Sequence, residues 1–404
     1  MLMMNKRILF PLSLFLFLGS AGWGLAQKPI RYEISFQNAV HHEAEISIDF
    51  PDVKVDVLEV RMSRSSPGRY AIHEFAKNVY NVKAFNSKGK KLVISRPNPS
   101  QWNIAGHDGN VKVTYTLFAD RAGGTYSGID ETHGHLNMPA TFVWARGLGD
   151  RPIEIEFNVP QSSNWKVATQ LKPTGNSYKF TAPNLYYFLD SPTELSDFIL
   201  EEWKVETNNQ TAMIRIAMHH DGTEDEVKIY AKMTDAIIKE EIAVFGELPE
   251  FDYGTYTFIC DYLPHVSGDG MEHRNSTICV STRSLKKFAS RNLSTMAHEF
   301  FHAWNVERLR PKSLEPFDFE RANMSGELWF AEGFTSYYTS LILRRAKIRS
   351  LDRYTQSISQ GLTFVINSPG RNFFSPVEMS MQAPFVDAAT AVDPNNRTNT
   401  FISY

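Results

Sequence analysis

The sequence has 404 residues, of which 42% are hydrophobic and 22% charged, so the chain is long enough for two or three domains with a sizeable core. Its formal net charge of −3 at pH 7 gives no basic field for nucleic acid, and we expect no nucleic-acid partner. No low-complexity tract or long charge run is present, which excludes a largely disordered chain.

The N-terminus has the pattern of an export signal, predicted to span residues 1–26. A positive Lys-Arg pair precedes the apolar run ILFPLSLFLFLGSAGWGLA, and the small residues Gly24 and Ala26 suit cleavage directly afterwards. The alternative is a membrane anchor, but Pro11 and the small residues leave too short an apolar run. We therefore expect an exported protein, periplasmic or extracellular, with no stable membrane span after signal removal.

Residues 28–190 predict an antiparallel β-sandwich domain. Short runs such as RYEISF and PIEIEFNVP alternate apolar and polar residues, which is the period of a half-buried strand. Turn formers such as Ser66-Pro67-Gly68 separate these runs. This spacing is typical of a sandwich.

Residues 191–404 predict a second, mixed α+β domain, so the fold class is α+β. A helical period runs through TEDEVKIYAKMTDAIIKEEIAVFGEL, where apolar residues recur every three or four positions. Two β-like runs follow, around residues 256–259 and 277–280, and further helices come after them.

The five residues HEFFH carry the strongest chemical signal. On a helix predicted to begin near Asn292 or Ser294, His298 and His302 lie one turn apart on the same face and can bind one metal ion. Glu299 lies beside that face and suits a general base acting on a water whose pKa zinc lowers. A chance match is the alternative, because five residues alone are only suggestive.

A third metal ligand is predicted on a second helix, from Ser325 to Lys347. It contains Glu327 and Glu332, which five helical residues place about 140° apart, so only one can face the ion. Glu332 is surrounded by aromatic residues, where a carboxylate is rarely buried without a partner. We therefore predict Glu332 as the ligand and Glu327 as a complement to the helix dipole.

The segments HEFFHAWNVERLRPKSLEPFDF and LWFAEGFTSYY resemble the glycyl aminopeptidase family of zinc metallopeptidases, a gluzincin group. The resemblance implies an N-terminal β domain followed by a thermolysin-like mixed α+β zinc peptidase domain. It also implies one Zn²⁺ per chain, bound by His298, His302 and Glu332, with Glu299 as the catalytic base.

The segment GDGMEHRNST is similar to the exopeptidase motif of gluzincin aminopeptidases. The resemblance makes Gly270, Met271 and Glu272 the substrate-binding residues, with Glu272 holding the α-amine of a peptide that has a free N-terminus. A carboxylate fixed one residue's length from the zinc would pair with that ammonium. The alternative is an ordinary glycine-rich turn between two strands.

The chain departs from the family near its C-terminus. Family members usually continue into a PDZ-like domain, whereas this sequence stops at Tyr404, so we expect a catalytic domain truncated at its C-terminal end. The tyrosine that stabilises the oxyanion in the family would be Tyr404 or a residue beyond it.

Two further groups of residues have side chains suited to redox or metal chemistry. Cys260 and Cys279 lie in two β-like runs, and a disulfide and two buried thiols both remain open. His133 and His135 are predicted to lie in a loop rather than at a second metal, and the pair His219-His220 is predicted to lie on the surface.

The favoured function is that of an exported zinc aminopeptidase that releases small N-terminal residues (Gly or Ala), which is the preference of the family. One alternative is a zinc endopeptidase in which Glu272 is only structural. Another is a non-catalytic exported peptide-binding protein whose β domain does the binding. The oligomeric state stays open.

Overall fold

The structure of the protein is a computed structural model that describes residues 27–386. The predicted signal peptide and Tyr404 lie outside the described residues. Within residues 27–386, no helix combines the length and the apolar character that crossing a membrane requires.

The N-terminal half is built almost entirely from strands, in which buried and exposed positions alternate. In chain order its elements are β1 (Ile30–Asn38), β2 (Glu43–Phe50), β3 (Val57–Arg61), β4 (Val79–Phe85), β5 (Val93–Asn98), β6 (Gln101–Ala105), β7 (Val111–Phe118), β8 (Gly128–Ile129), β9 (His133–Leu136), α1 (Met138–Thr141), β10 (Trp144–Ala145), β11 (Ile153–Asn158), β12 (Lys166–Thr169), β13 (Lys172–Pro173), β14 (Lys179–Ala182), α2 (Leu185–Leu189) and β15 (Thr193–Ser196). In β1, for example, Ile30, Tyr32 and Ile34 are buried while the residues between them are exposed.

These strands form three sheets within the described part of the chain. The largest has the order β13-β14-β11-β1-β2-β7-β4, and the two smaller ones have the orders β10-β3-β6-β5 and β12-β15-β9-β8. Pairing is antiparallel except between β1 and β11, where Ile30 lies opposite Ile153. A long stretch of chain separates these two strands, so no hairpin forces them to be antiparallel. The boundary between residues 190 and 191 stays a prediction.

The second half combines one sheet with helices, which confirms the predicted α+β class. Its elements are β16 (Ile199–Glu206), β17 (Thr211–His220), α3 (Glu224–Phe245), β18 (Thr255–Tyr262), β19 (Asp269–His273), β20 (Ser276–Val280), α4 (Leu285–Phe301), α5 (Thr335–Arg345), α6 (Leu351–Asn367), α7 (Pro376–Met381) and α8 (Ala383–Val386). The sheet order is β16-β17-β18-β20-β19, with β17, β18 and β20 parallel to one another. Strand β19 therefore lies at an edge of the sheet.

A single apolar core joins this sheet to α3 and α4. Helix α3 begins with a capping box formed by Thr223 and Glu226 and ends at Gly246, whose positive φ of 86° closes the helix. Phe300 of α4 packs against Tyr256 and Phe258 of β18, with ring centroids 4.9 and 5.4 Å away. The motif helix is thereby fixed against the sheet.

Helix α4 begins at Leu285 and is kinked at Phe288, so the part that carries the motif begins just after Phe288, earlier than the predicted start near Asn292 or Ser294. Ser284 precedes the helix in an extended conformation. The buried side chain of Asn292 donates a hydrogen bond to the carbonyl of Arg283 at 2.8 Å, so it ties the helix to the preceding turn instead of capping it.

The helix that carries Glu332 is irregular, whereas a regular helix from Ser325 was predicted. A π-helical turn at Trp329–Phe334 precedes α5. The carbonyl of Ala331 in this turn accepts hydrogen bonds from the hydroxyl of Thr335 at 2.6 Å and from the amide of Asn305 at 3.1 Å. These side chains satisfy a backbone group that a wide turn leaves without a regular helical partner.

The two cysteines lie side by side in the sheet. Cys260 of β18 is the register partner of Cys279 of β20, and both are buried. Both are free thiols, so the structure has two buried thiols here rather than a disulfide.

Candidate metal centre and cleft

The structure brings the three predicted metal ligands together. The Nε2 atoms of His298 and His302 lie 3.2 Å apart. Glu332 Oε2 lies 3.4 Å from His298 Nε2 and 3.6 Å from His302 Nε2. Ligand atoms around a tetrahedral zinc with bonds of about 2.0–2.1 Å are spaced roughly 3.4 Å apart, so these separations fit one ion.

The hydrogen bonds around the ligands also fit a cation. His302 Nδ1 donates to the carbonyl of Asn305 at 2.8 Å, which leaves the lone pair on Nε2, facing His298. Burial alone would raise the pKa of Glu332, yet His302 and His298 hold it well below its usual range. Two imidazoles and a carboxylate that converge in this way suit zinc, and His298 and Glu332 are partly exposed, as an open coordination position requires.

A tyrosine from the N-terminal half orients the third ligand. The hydroxyl of Tyr70 donates a hydrogen bond to Glu332 Oε1 at 3.0 Å. Tyr70 lies in the loop of residues 62–74 and packs beside Leu328, which directly precedes the π-helical turn. Sequence reasoning missed this residue, because the signal Ser66-Pro67-Gly68 predicts a turn without showing what the turn contacts.

The predicted base, Glu299, is packed tightly beside the ligands. A Cβ atom added to Gly270 would lie 2.7 Å from Glu299 Cδ and 2.6 Å from Thr295 Cγ2, so only glycine leaves room for the carboxylate. Burial raises the pKa of Glu299 well above its usual range, and the charges of Glu272 and Glu332 reinforce the effect. An ionised Glu299 therefore needs a cation beside it, which the neighbouring ligand set can hold.

The predicted substrate-binding residues lie on the edge strand β19 rather than in a turn. Ligand atoms of Glu272, Glu299 and His302 all lie within 4.8 Å of one another, so Glu272 is beside the metal centre. Gly68, with a φ of 73°, lies against it, and a Cβ there would be 2.9 Å from Glu272 Oε2. Met271 differs from its neighbours, since its side chain is buried in a small apolar cluster.

A polar cleft of about 630 Å³ opens over this centre. Its lining includes His298, Glu299 and Gly270. Arg283 and Arg349 also line it. The edge of β19 therefore faces a space that can hold an extended peptide.

Arg69 connects the N-terminal half to this wall of the cleft. Its guanidinium donates to Thr125 Oγ1 at 2.7 Å and to the carbonyl of Gly270 at 3.1 Å, and it forms an ion pair with Asp269. The same loop that carries Tyr70 thus holds the start of β19 in place. Sequence reasoning missed Arg69 for the same reason.

The predictions for the other histidines were wrong. His133 and His135 lie in β9 and are buried, instead of lying in a loop. His219 is 14% exposed and faces buried carboxylates, instead of lying on the surface. The sheet that contains β9 packs against the sheet that contains β17, which buries these rings, and no local pattern in the sequence signals this contact.

Comparison with known protein families matches two parts of the chain. The model of the Peptidase M61 N-terminal domain matches residues 31–197, and that of the M61 glycyl aminopeptidase matches residues 291–404. Together these ranges cover more than half of the chain. A comparison with curated proteins finds no match.

Comparison with solved structures finds the same fold elsewhere. An aminopeptidase N family protein from Idiomarina loihiensis superposes with a TM-score of 0.80 at 24% identity, over 93% of this chain. This chain spans only 64% of the length of that protein. An M1 zinc metallopeptidase from Deinococcus radiodurans has a TM-score of 0.47 at 12% identity, covering 90% of this chain and 81% of its own.

Proposed function

The chain belongs to the M61 glycyl aminopeptidase family, and from that premise we propose that it is a zinc aminopeptidase that releases small N-terminal residues from peptides. One observation carries the proposal: His298, His302 and Glu332 converge at ligand spacing directly beside Glu299. A convergence of this kind from two separate segments is expected for a hydrolytic metal centre.

The residues of the chain divide the chemistry among them. Zinc, when bound, would polarise the scissile carbonyl and lower the pKa of the attacking water. Glu299 would accept a proton from that water and deliver it to the leaving amine. Asn305 and Tyr70 would hold His302 and Glu332 in the orientation that this chemistry needs.

The substrate would be held by β19 and Glu272. Strand β19 has a partner, β20, on only one side within the described residues, so a peptide backbone can pair with its other edge. The carboxylate of Glu272 would pair with the α-ammonium of the first residue. The proposed preference for Gly or Ala follows from the match to the M61 glycyl aminopeptidase model.

We further propose that the protein is exported to the periplasm or outside the cell. The support is the sequence of residues 1–26, with its positive pair and apolar run. Mass spectrometry of the protein from the exported fraction should find Gln27 as the first residue. A protein that keeps Met1 in the cytoplasm would contradict export.

The catalytic assignment is tested by Glu299→Gln in the zinc-loaded chain. We expect the variant to keep its zinc and to lose roughly 10²–10⁴-fold in turnover of Gly- and Ala-linked chromogenic amides, because it lacks the proton acceptor. Glu327→Gln is the matched control, since Glu327 contacts Ser313 and Ser325 rather than the ligands. Unchanged turnover in Glu299→Gln would refute the assigned base.

The type of peptidase is tested by comparing peptides with free and acetylated N-termini. An aminopeptidase that uses Glu272 as proposed leaves the acetylated peptides intact, because they have no ammonium group. Cleavage of both would indicate an endopeptidase in which Glu272 is structural. Binding of peptides without zinc and without hydrolysis would instead support a non-catalytic peptide-binding protein.

A further inference from the structure

A second group of metal-ligand side chains is buried where the two halves of the chain meet. His135 of β9 and Glu194 of β15 come from the N-terminal half, while His219 of β17 and Asp261 of β18 come from the second half. The side chains of Glu194 and Asp261 are 0% exposed and that of His135 is 1% exposed. The proposed active site uses none of them.

Ligand atoms of three of these side chains, His135, Glu194 and Asp261, all lie within 4.8 Å of one another, which suits a single ion. His135 Nδ1 lies 2.7 Å from Asp261 Oδ2 and 3.4 Å from Glu194 Oε2. His219 Nδ1 lies 3.4 Å from Asp261 Oδ1 and 3.7 Å from Glu194 Oε1. The 3.4 Å between His135 and Glu194 is the separation expected between ligands of a tetrahedral zinc, and His219 faces the other oxygen of each carboxylate, where it can act as the fourth ligand.

The polar atoms that these four side chains turn toward one another have no hydrogen-bond partner elsewhere among the described residues. Both oxygens of Glu194, both oxygens of Asp261, and Nδ1 of both His135 and His219 are buried without a hydrogen bond of normal alignment. His135 Nε2 donates to the carbonyl of Gly123 at 3.1 Å, so a neutral ring presents the lone pair of Nδ1 to the carboxylates. Lone pairs and negative charges that converge in a buried space require a cation.

A cavity lies next to the cluster, separated from it by the ring of His133. This cavity of about 390 Å³ is lined by Asp130, His133 and His265. The ring of His133 lies 4.9 Å from that of His219, and its Nδ1 lies 3.1 Å from Asp130 Oδ1. The Nε2 atom of His133 is buried without a hydrogen bond to any described residue.

Protons are the competing source of positive charge. Burial lowers the pKa of His135, but Asp261 and Glu194 outweigh it and raise the pKa to about 10. A protonated ring would place its N–H in line with an oxygen of Asp261, yet the 2.7 Å separation lacks that alignment. The arrangement therefore favours a metal ion over two imidazolium rings.

We propose that His135, Glu194, His219 and Asp261 bind a second divalent cation, of the zinc type, that joins the N-terminal half to the catalytic half. Four protein ligands leave no open position, so this ion is structural rather than catalytic. Two imidazoles with two carboxylates favour zinc over magnesium or calcium, which prefer oxygen ligands alone.

The test is the zinc content of the purified full chain, measured by inductively coupled plasma mass spectrometry. We expect two zinc ions per chain, and one in His298→Ala, which removes an active-site ligand. We also expect one in the double variant His135→Ala/Glu194→Gln. One zinc in the original chain and none in His298→Ala would overturn the proposal and leave a protonated ion-pair cluster.

A second comparison keeps the test independent of folding defects and of the proposed function. His219→Ala alters the ligand nearest to solvent and should lose one zinc and lower Tm by about 5 °C or more, because a bound ion stabilises only the folded state. His220→Ala is the matched control, since the His220 ring accepts a hydrogen bond from the Gly222 amide and is not in the cluster. Should the active site contain no metal, a zinc ion that is present in the original chain and missing from His219→Ala would still support the second site. Equal zinc content and Tm in the two variants would contradict it.

Discussion

Replacement of Gly270 by alanine should separate the position of the catalytic carboxylate from the binding of the metal. The added Cβ would stand 2.7 Å from Glu299 Cδ, whereas carbon atoms in contact prefer about 3.5–4.0 Å, so the carboxylate must move by about 1 Å. A displacement of this size at a reacting group costs about 100-fold in rate. That loss corresponds to about 2.7 kcal/mol in the activation free energy.

The assay is kcat/KM on a Gly-linked chromogenic amide, together with the zinc content of each variant. We expect Gly270→Ala to keep its zinc, because His298, His302 and Glu332 are not displaced. Gly268→Ala is the matched control, since a Cβ at Gly268 meets no described atom within 4 Å. Full activity in zinc-loaded Gly270→Ala would refute the role of Glu299. An equal loss of activity in Gly270→Ala and Gly268→Ala would mean that the defect comes from the backbone around these two glycines and not from Glu299.

Two further predictions address the loop of residues 62–74. Tyr70→Phe removes the hydrogen bond to Glu332 and should weaken zinc binding roughly 10–100-fold in a chelator competition, with the fold intact. Equal zinc affinity in the variant and the original chain would mean that Glu332 does not need this hydrogen bond. Burial, aided by the charges of Arg69 and Lys77, lowers the pKa of His73 from 6.5 to about 4. Between these two pH values the unfolded chain binds more protons than the folded one. The free energy of unfolding therefore falls as the pH falls from about 6.5 to 4. Urea unfolding of His73→Gln at pH 7 and pH 4.5 should show a smaller fall than the original chain, and parallel falls would contradict the shift.

Local patterns in the sequence were sufficient for much of the architecture. Alternating runs such as RYEISF became strands because one face of each sheet is buried, and this period is visible without any tertiary information. The same holds for His298 and His302, whose one-turn separation depends only on helix geometry. Glu332 was predictable because a carboxylate among aromatic residues needs a partner.

Features that depend on distant parts of the chain were not visible in the sequence. Tyr70 reaches Glu332 across 262 residues, and nothing near Tyr70 signals that contact. In the π-helical turn the side chains of Asn305 and Thr335 both donate to the carbonyl of Ala331, and a helical period does not show such contacts. His135 meets Asp261 only after strands from both halves have assembled.

Because Arg69 and Tyr70 belong to the β domain, the second half of the chain does not contain every residue that positions the metal ligands and β19. A recombinant fragment that begins after the last strand of that domain would retain all three metal ligands. It would lack the ion pair to Asp269 and the hydrogen bond to Glu332. Grafting the peptidase half onto another β module would succeed only if the incoming module supplied an equivalent arginine and tyrosine at the same place.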